Sequence, residues 1–268
     1  MLKNKYIIIS LFLTLVLSSC SGFNKVLNKG TSAEQYAMAT EMYEAEKYGK
    51  AIQLFEKVMP HYRGKPQMER IQYMYSMANY KDKSYLISAY HFKRFAKNYP
   101  RSSKREEAVF LSANSYFLSI PKSSLDQSDT RTAIEAFQKF IDSYPESDKV
   151  KEANEKIKTM QLLLEKKEYD IAYNYFHTEH YKAAVTAFDN FLSDNLGTKF
   201  KEDALFYKAK SAHHLALKSV ESKKEARIKA ALKAIDRLEH SFKDTKYKSE
   251  AQDLREDLEK VIQTKTNN

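Results

Sequence analysis

Few residues in this 268-residue chain have the types and spacing that chemistry requires. His177 and His180 stand three apart, a spacing compatible with gripping a metal, but they fall where a turn between helices is expected. His213 and His214 are adjacent, so a helix would send them in different directions. No cysteine lies near either pair and no carboxylate completes a zinc-protease pattern, so no metal site is expected. Glu106 and Glu107 are neighbours at an expected helix start, where the helix macrodipole favours acids without any catalytic role. The chain has no G-x-S-x-G, no phosphate-cradling glycine loop and no Ser/His/Asp arrangement. The expectation is a protein with no catalytic residue, no metal and no cofactor.

The one residue with specific chemistry is Cys20, the only cysteine. It closes a stretch laid out as an export signal. Lys3 and Lys5 make a charged start, and Tyr6 to Val16 is apolar apart from Ser10 and Thr14, too short to span a bilayer. Leu17-Ser18-Ser19-Cys20 resembles a bacterial lipobox, which implies removal of residues 1–19 and a covalent lipid on Cys20, with S-diacylglycerol and N-acyl chains. Several acyl chains would hold the protein stably on a membrane. Residues 20–31, poor in large apolar side chains, are expected to be a tether. No acidic run follows Cys20, which favours a periplasm-facing protein, and an exported, anchored chain meets no nucleic acid.

The elements that must carry any binding site are helical. With 5 Gly and 5 Pro there are too few turn formers for a many-stranded sandwich or barrel. From residue 33 onward one pattern recurs: an aromatic residue or Thr, a small residue three later, Phe four further on, and another apolar residue three beyond that. It reads Tyr48/Ala51/Phe55/Val58, Tyr85/Ser88/Phe92/Phe95, Thr130/Ala133/Phe137/Phe140, Tyr181/Ala184/Phe188/Phe191 and, more weakly, Ile228/Ala231/Ile235/Leu238. Spacings of 3, 4 and 3 place each set on one helix face, with the small residue where a neighbouring helix comes close. The partner helices are expected at 33–46, 66–81, 105–119, 150–178 and 200–219, with a last helix at 247–263 that caps the stack or docks a partner. The predicted fold is all-α, a tetratricopeptide-like α-solenoid of about five helix hairpins. It divides into repeats 1–3 over 32–145 and repeats 4–5 over 146–268.

Residues 120–129 interrupt the third hairpin, and Asp129 or Thr130 is the expected N-cap of the helix that follows. Two second helices stop at Tyr99-Pro100 and Tyr144-Pro145. The lipobox, the five hairpins, the ending F-x-x-F-I-x-x-Y-P and the segment from Ser115 to Thr130, with its Leu125-Asp126-Gln127-x-x-Thr130, together resemble the BamD (ComL) family of outer-membrane assembly lipoproteins. That resemblance implies a non-enzymatic scaffold of the machinery that inserts β-barrel proteins into the outer membrane. Its implied partners are the barrel subunit, through its periplasmic POTRA domains, and unfolded barrel substrates. The N-terminal repeats would be the substrate-recognition end and the C-terminal repeats the docking end. The competing reading is a tetratricopeptide adaptor or pilotin lipoprotein of another envelope or secretion complex.

Candidate binding residues come from charge and aromatic content. The formal charge of +10 falls to +8 once Lys3 and Lys5 are removed, yet between His61 and Arg105 there are 11 Lys/Arg against Glu69 and Asp82 alone. That stretch is either a solvated face, a surface that steers acidic segments, or one that sits against anionic headgroups. Lys93, Arg94 and Lys97 are its candidates. Tyr43, Tyr75 and Asn79 are candidates for a peptide groove on first helices, the tyrosines for an apolar body with a hydroxyl and Asn79 for a backbone hydrogen bond. Lys122, Asp126 and Gln127 are candidates because loops that interrupt a repeat often bind.

Overall fold

The computed structural model describes residues 22–266, and among them regular structure is helical with no strand. The expected leader and the Cys20 anchor lie outside the described residues. After a helical segment over 22–29 come α1 (Ser32–Glu44), α2 (Tyr48–Val58), α3 (Gln67–Lys81), α4 (Tyr85–Asn98), α5 (Arg105–Leu118), α6 (Ser128–Ser143), α7 (Val150–His177), α8 (Tyr181–Asp194), α9 (Lys201–Leu217), α10 (Glu221–Ser241) and α11 (Lys248–Thr266). Taken in consecutive pairs, α1 to α10 are the five hairpins that the repeat predicts. Each first helix begins and ends within two residues of its expected bounds.

The recurring face is the packed one. Ala51, Ser88, Ala133, Ala184 and Ala231 are all 0% exposed, as are Phe55, Phe92, Phe137, Phe188 and Ile235 four positions later. A small side chain there lets the neighbouring helix approach, and the ring beyond it fills the space that remains. Ser88 is the polar exception, and its hydroxyl is satisfied by donating to Ser76 O at 3.1 Å.

Two turn devices recur with the hairpins. Glu46, Lys83 and Glu179, each two residues before the Tyr that opens a second helix, have φ of 57°, 64° and 60°. In each, the next amide returns to the carbonyl five residues back, as in Lys47 N to Met42 O, Ser84 N to Asn79 O and His180 N to Tyr175 O. This is a Schellman closure with a non-glycine residue in the left-handed region. Between hairpins, Ser102, Ser147, Thr198 and Thr245 each donate their amide three residues back and accept the amide two residues on, at 3.1–3.2 Å. The Tyr-Pro corners are two of these four. The third hairpin carries the insertion in place of the left-handed closure. Its helix starts at Ser128 with Gln127 at the N-cap position, ahead of the expected Asp129 or Thr130, and Asp126, one residue earlier, accepts the Ser128 amide at 2.9 Å. Thr130 is fully buried and hydrogen-bonds Gln127 instead.

By packing, the chain forms two units, one of residues up to 121 plus 126–158 and one of residues 122–125 plus 159 onward. The division therefore falls at 158/159 and not at the expected 145/146. The first turns of α7 belong to the first unit because Ala153 and Ile157 are buried there and Lys156 lies 4.5 Å from the Phe117 ring centroid. In the second unit, Lys167 donates to the carbonyls of Ser123 and Leu125. Also in that unit, α11 lays Ala251, Leu254 and Leu258 onto the core of α9 and α10.

The expected tether is overturned over most of its length. Residues 22–29 are helical, Phe23 is 9% exposed in the core of the first hairpin, and Val26 and Leu27 pack beside it. Gln35 of α1 donates to Leu27 O at 3.1 Å, and Thr31 caps α1 in a reciprocal box with Glu34. The spacing 23, 26, 27 is itself a helical apolar face.

Candidate functional site

Helix α4 sits between two clefts of the first unit, and the basic stretch supplies most of the charge in both. The first, about 530 Å³, lies between α2, α3 and α4 and is lined by Arg63, His91, Arg94, Asn98 and Glu56 among others. The second, about 430 Å³, lies between α4, α5 and α6. Its rim carries Lys93, Lys97, Arg105 and Lys139 against Glu135, and its walls include Ala96, Val109 and Ala136. Basic groups over an apolar wall suit a segment that presents both apolar side chains and carboxylates.

The charges are held open in different ways. Among the described residues, none of Arg63, Lys93, Arg94, Lys97 and Lys139 forms an ion pair within 4.0 Å. Arg105 is positioned by protein groups, with Nη1 donating to Tyr144 Oη at 2.8 Å and Nε to Ala96 O at 3.4 Å. In the first cleft, burial and then the Arg94 charge hold the His91 imidazole below its ordinary range, so at neutral pH Arg63 and Arg94 carry the charge. Behind it, burial and the bond to Glu56 push the Tyr75 hydroxyl up to about 12, so it stays a donor, reaching Glu56 Oε1 at 2.9 Å.

The sequence candidates separate accordingly. Lys93 and Lys97 share the second cleft, while Arg94 turns to the first. Tyr75 and Asn79 are not open to a peptide: they are 5% and 2% exposed, and Asn79 Nδ2 is spent on Tyr75 O at 2.8 Å. Helix α3 is packed around most of its circumference, burying Ile71, Met74, Tyr75, Ser76, Ala78 and Asn79. Tyr43 is half-buried, edge-on to Tyr48 at 5.8 Å. Gln127 is buried against Thr130 and Asp126 accepts the Ser128 amide, so both act in shaping the insertion, and Lys122 O accepts the Leu125 amide within it.

Sequence reasoning missed Arg63, His91, Arg105 and Lys139. The first three lie inside the basic stretch and had a signal; Lys139 lies on α6 and reaches the cleft only through folding. The histidine pairs hold no metal geometry. His177 ends α7, and His180 precedes α8 with Nδ1 3.0 Å from Thr178 Oγ1. His214 stacks on Tyr181 at 4.8 Å, while His213 is buried. Among the described residues no group of three or more His, Cys, Asp or Glu could hold a metal ion, and no helix is long and apolar enough to cross a membrane.

The sequence pattern of the YfiO family, described as outer membrane lipoprotein, matches residues 28–228. The chain belongs to that family. The YfiO match takes in both clefts and all helices from α1 to the first part of α10. A relative from Aquifex aeolicus (strain VF5), provisionally named outer membrane protein assembly factor BamD, is 26% identical over 118 residues, 43% of this chain. That match spans 39% of the relative's length. A solved structure of nearly identical TPR-like repeats, from a protein assigned as a kinesin light chain of Podosopora anserina, is 14% identical. It covers 88% of this chain and 95% of its own, with a TM-score of 0.32. The assignment of the repeat fold rests on the five hairpins and their shared buried face.

Proposed function

We propose that this YfiO-family chain is a non-enzymatic lipoprotein of the outer-membrane β-barrel assembly machinery, anchored through lipid on Cys20 and facing the periplasm. The observation that carries the reading is the family match over 28–228, which takes in the helix hairpins; the lipobox-like Leu17–Cys20 lies ahead of the matched residues and supports the anchor separately. The first unit is the substrate-recognition end. Unfolded barrel segments alternate apolar and polar side chains, and a cleft with apolar walls and Lys93, Lys97, Arg105 and Lys139 on its rim takes such a segment where it carries carboxylates. The second unit is the docking end for the POTRA-bearing barrel subunit.

Affinity purification of the chain from solubilised envelopes tests the reading. Recovery of a POTRA-containing barrel protein is the expected result; recovery of a secretin in its place overturns it. Cys20→Ala is expected to move the protein from the membrane to the soluble fraction, and continued tight membrane association would refute the anchor.

A further inference from the structure

The outward face of α4 carries three apolar residues that line neither cleft, beside basic residues that reach the clefts from its edges. Leu86, Ile87 and Tyr90 are 53%, 50% and 56% exposed within five positions of one helix. Its packed side is Ser88, Ala89, Phe92, Phe95 and Ala96, so the exposed apolar residues stand on the opposite side, together with Arg94 and Lys97. Basic residues bracket the apolar trio: Lys81 and Lys83 before it, and Lys93, Arg94 and Lys97 in the two turns after it. All five are exposed, and none forms an ion pair among the described residues. Asp82 is the one acid within the bracket.

We propose that this face of α4 rests on the surface of an anionic phospholipid bilayer, with Leu86, Ile87 and Tyr90 entering the headgroup region and the flanking Lys and Arg meeting the phosphates. Three points favour a bilayer. An apolar strip framed by Lys and Arg, with a tyrosine at its edge, is the pattern of a helix lying in a membrane interface. Three half-exposed side chains offer far less than the roughly 800 Å² per partner of a standard protein interface. They suffice for a reversible contact by a protein that is already held at the membrane, where the local lipid concentration is high.

The third point is the chain's own entry. Because 22–29 is a packed helix and not a tether, the folded body begins two residues after Cys20, within about 7 Å of extended chain. Lys50 of α2 lies over the Phe23 ring at 5.1 Å, and α2 shares a cleft with α4. The entry helix thus packs against both α1, whose Gln35 holds Leu27 O, and α2, with α4 one neighbour further on. This orientation rests on the lipid anchor proposed above, but the lipid affinity of the face does not, which lets the two be tested apart.

The chain has no Trp, so Tyr90→Trp installs a single fluorescent reporter at the face. The test uses residues 21–268 without lipid, mixed with vesicles of phosphatidylcholine alone or with one quarter phosphatidylglycerol, at low and at physiological salt. The expected result is a blue shift and co-sedimentation with the anionic vesicles only. Binding should fall at least tenfold in Lys93→Glu/Arg94→Glu/Lys97→Glu and severalfold in Leu86→Ser/Ile87→Ser, with far-UV circular dichroism unchanged in both. No blue shift with anionic vesicles at low salt overturns the proposal. So does undiminished binding by the Leu86/Ile87 variant, which would mean charge attraction without insertion. A shift that appears only with solubilised envelope protein would assign the face to a protein partner and also overturn it.

Discussion

Both units have ion pairs within single helices, but they differ in how charge acts between helices. In the first, Lys104–Glu107 and Lys156–Glu152 pair within one helix or at its start, and among the described residues the other basic residues between 61 and 105 form no ion pair within 4.0 Å. In the second, charges bridge helices: Lys208 to Asp189, Lys210 to Glu250, Lys218 to Glu179, Lys246 to Asp203, and Arg255 to both Asp236 and Glu239. A charge already neutralised by its own chain contributes to helix register and little to recognition, while an unmatched one repels its neighbours until a partner arrives. The difference matches the roles proposed above, with binding by charge in the first unit and stabilisation by charge in the second.

The strongest test of that contrast reverses three charges in each unit. Lys208→Glu/Lys210→Glu/Arg255→Glu breaks bridges whose basic side chains are 14–29% exposed, and is expected to cost about 2–3 kcal/mol, lowering Tm by several degrees. Lys93→Glu/Arg94→Glu/Lys97→Glu is expected to leave Tm nearly unchanged while weakening binding of acidic barrel-derived peptides more than tenfold in titration calorimetry. Equal Tm losses in both would erase the distinction.

Next comes the apolar side of the first unit. If that unit is held without bridging ion pairs, its edge depends on packing, and Phe23→Ala should cost about 2 kcal/mol, somewhat less than a fully enclosed Phe. Limited proteolysis should then cleave near residue 29 earlier than in the parent.

A third prediction concerns pH and the second unit. Burial and then the charge of His214 hold His213 below its ordinary 6.5, and neither ring nitrogen has a hydrogen-bond partner. The groups facing it are His214, Lys210 and Asp257, whose carboxylate is 3.7 Å away. Because the unfolded chain binds this proton more readily, stability is full above about pH 6.5 and falls as pH drops through that value toward the depressed folded pKa. Tm should fall between pH 7 and pH 5, and His213→Phe should flatten that slope. The smallest expected effect is Lys229→Ala, which removes a pair to Glu225 with both side chains more than 70% exposed, changing stability by no more than about 0.5 kcal/mol.

Much of the fold was legible because its determinants are local. The small residue and the ring four positions later mark a helix face by spacing alone, and all five copies are buried as that spacing requires. The corners built on Ser102, Ser147, Thr198 and Thr245 were equally local, but Pro drew attention to two and hid the other two. Phe23, Val26 and Leu27 carried a helical signal that their polar neighbours obscured. The candidate site was legible in its charge and not in its geometry. Tyr75 and Asn79 look like groove residues only if α3 has an open face, and a first helix flanked by its own second helix and the preceding hairpin has little of one.

The sequence by itself determined the helix hairpins, their boundaries, the basic stretch and the lipobox-like end, since each is written in residues a few positions apart. Tertiary structure alone decided which charges stay unpaired, because a carboxylate partner can come from any neighbouring helix. It likewise decided that Lys139 joins Lys93 and Lys97 at one cleft, and that Leu86, Ile87 and Tyr90 stand exposed on α4 while Ala89, Phe92 and Phe95 of the same helix are enclosed.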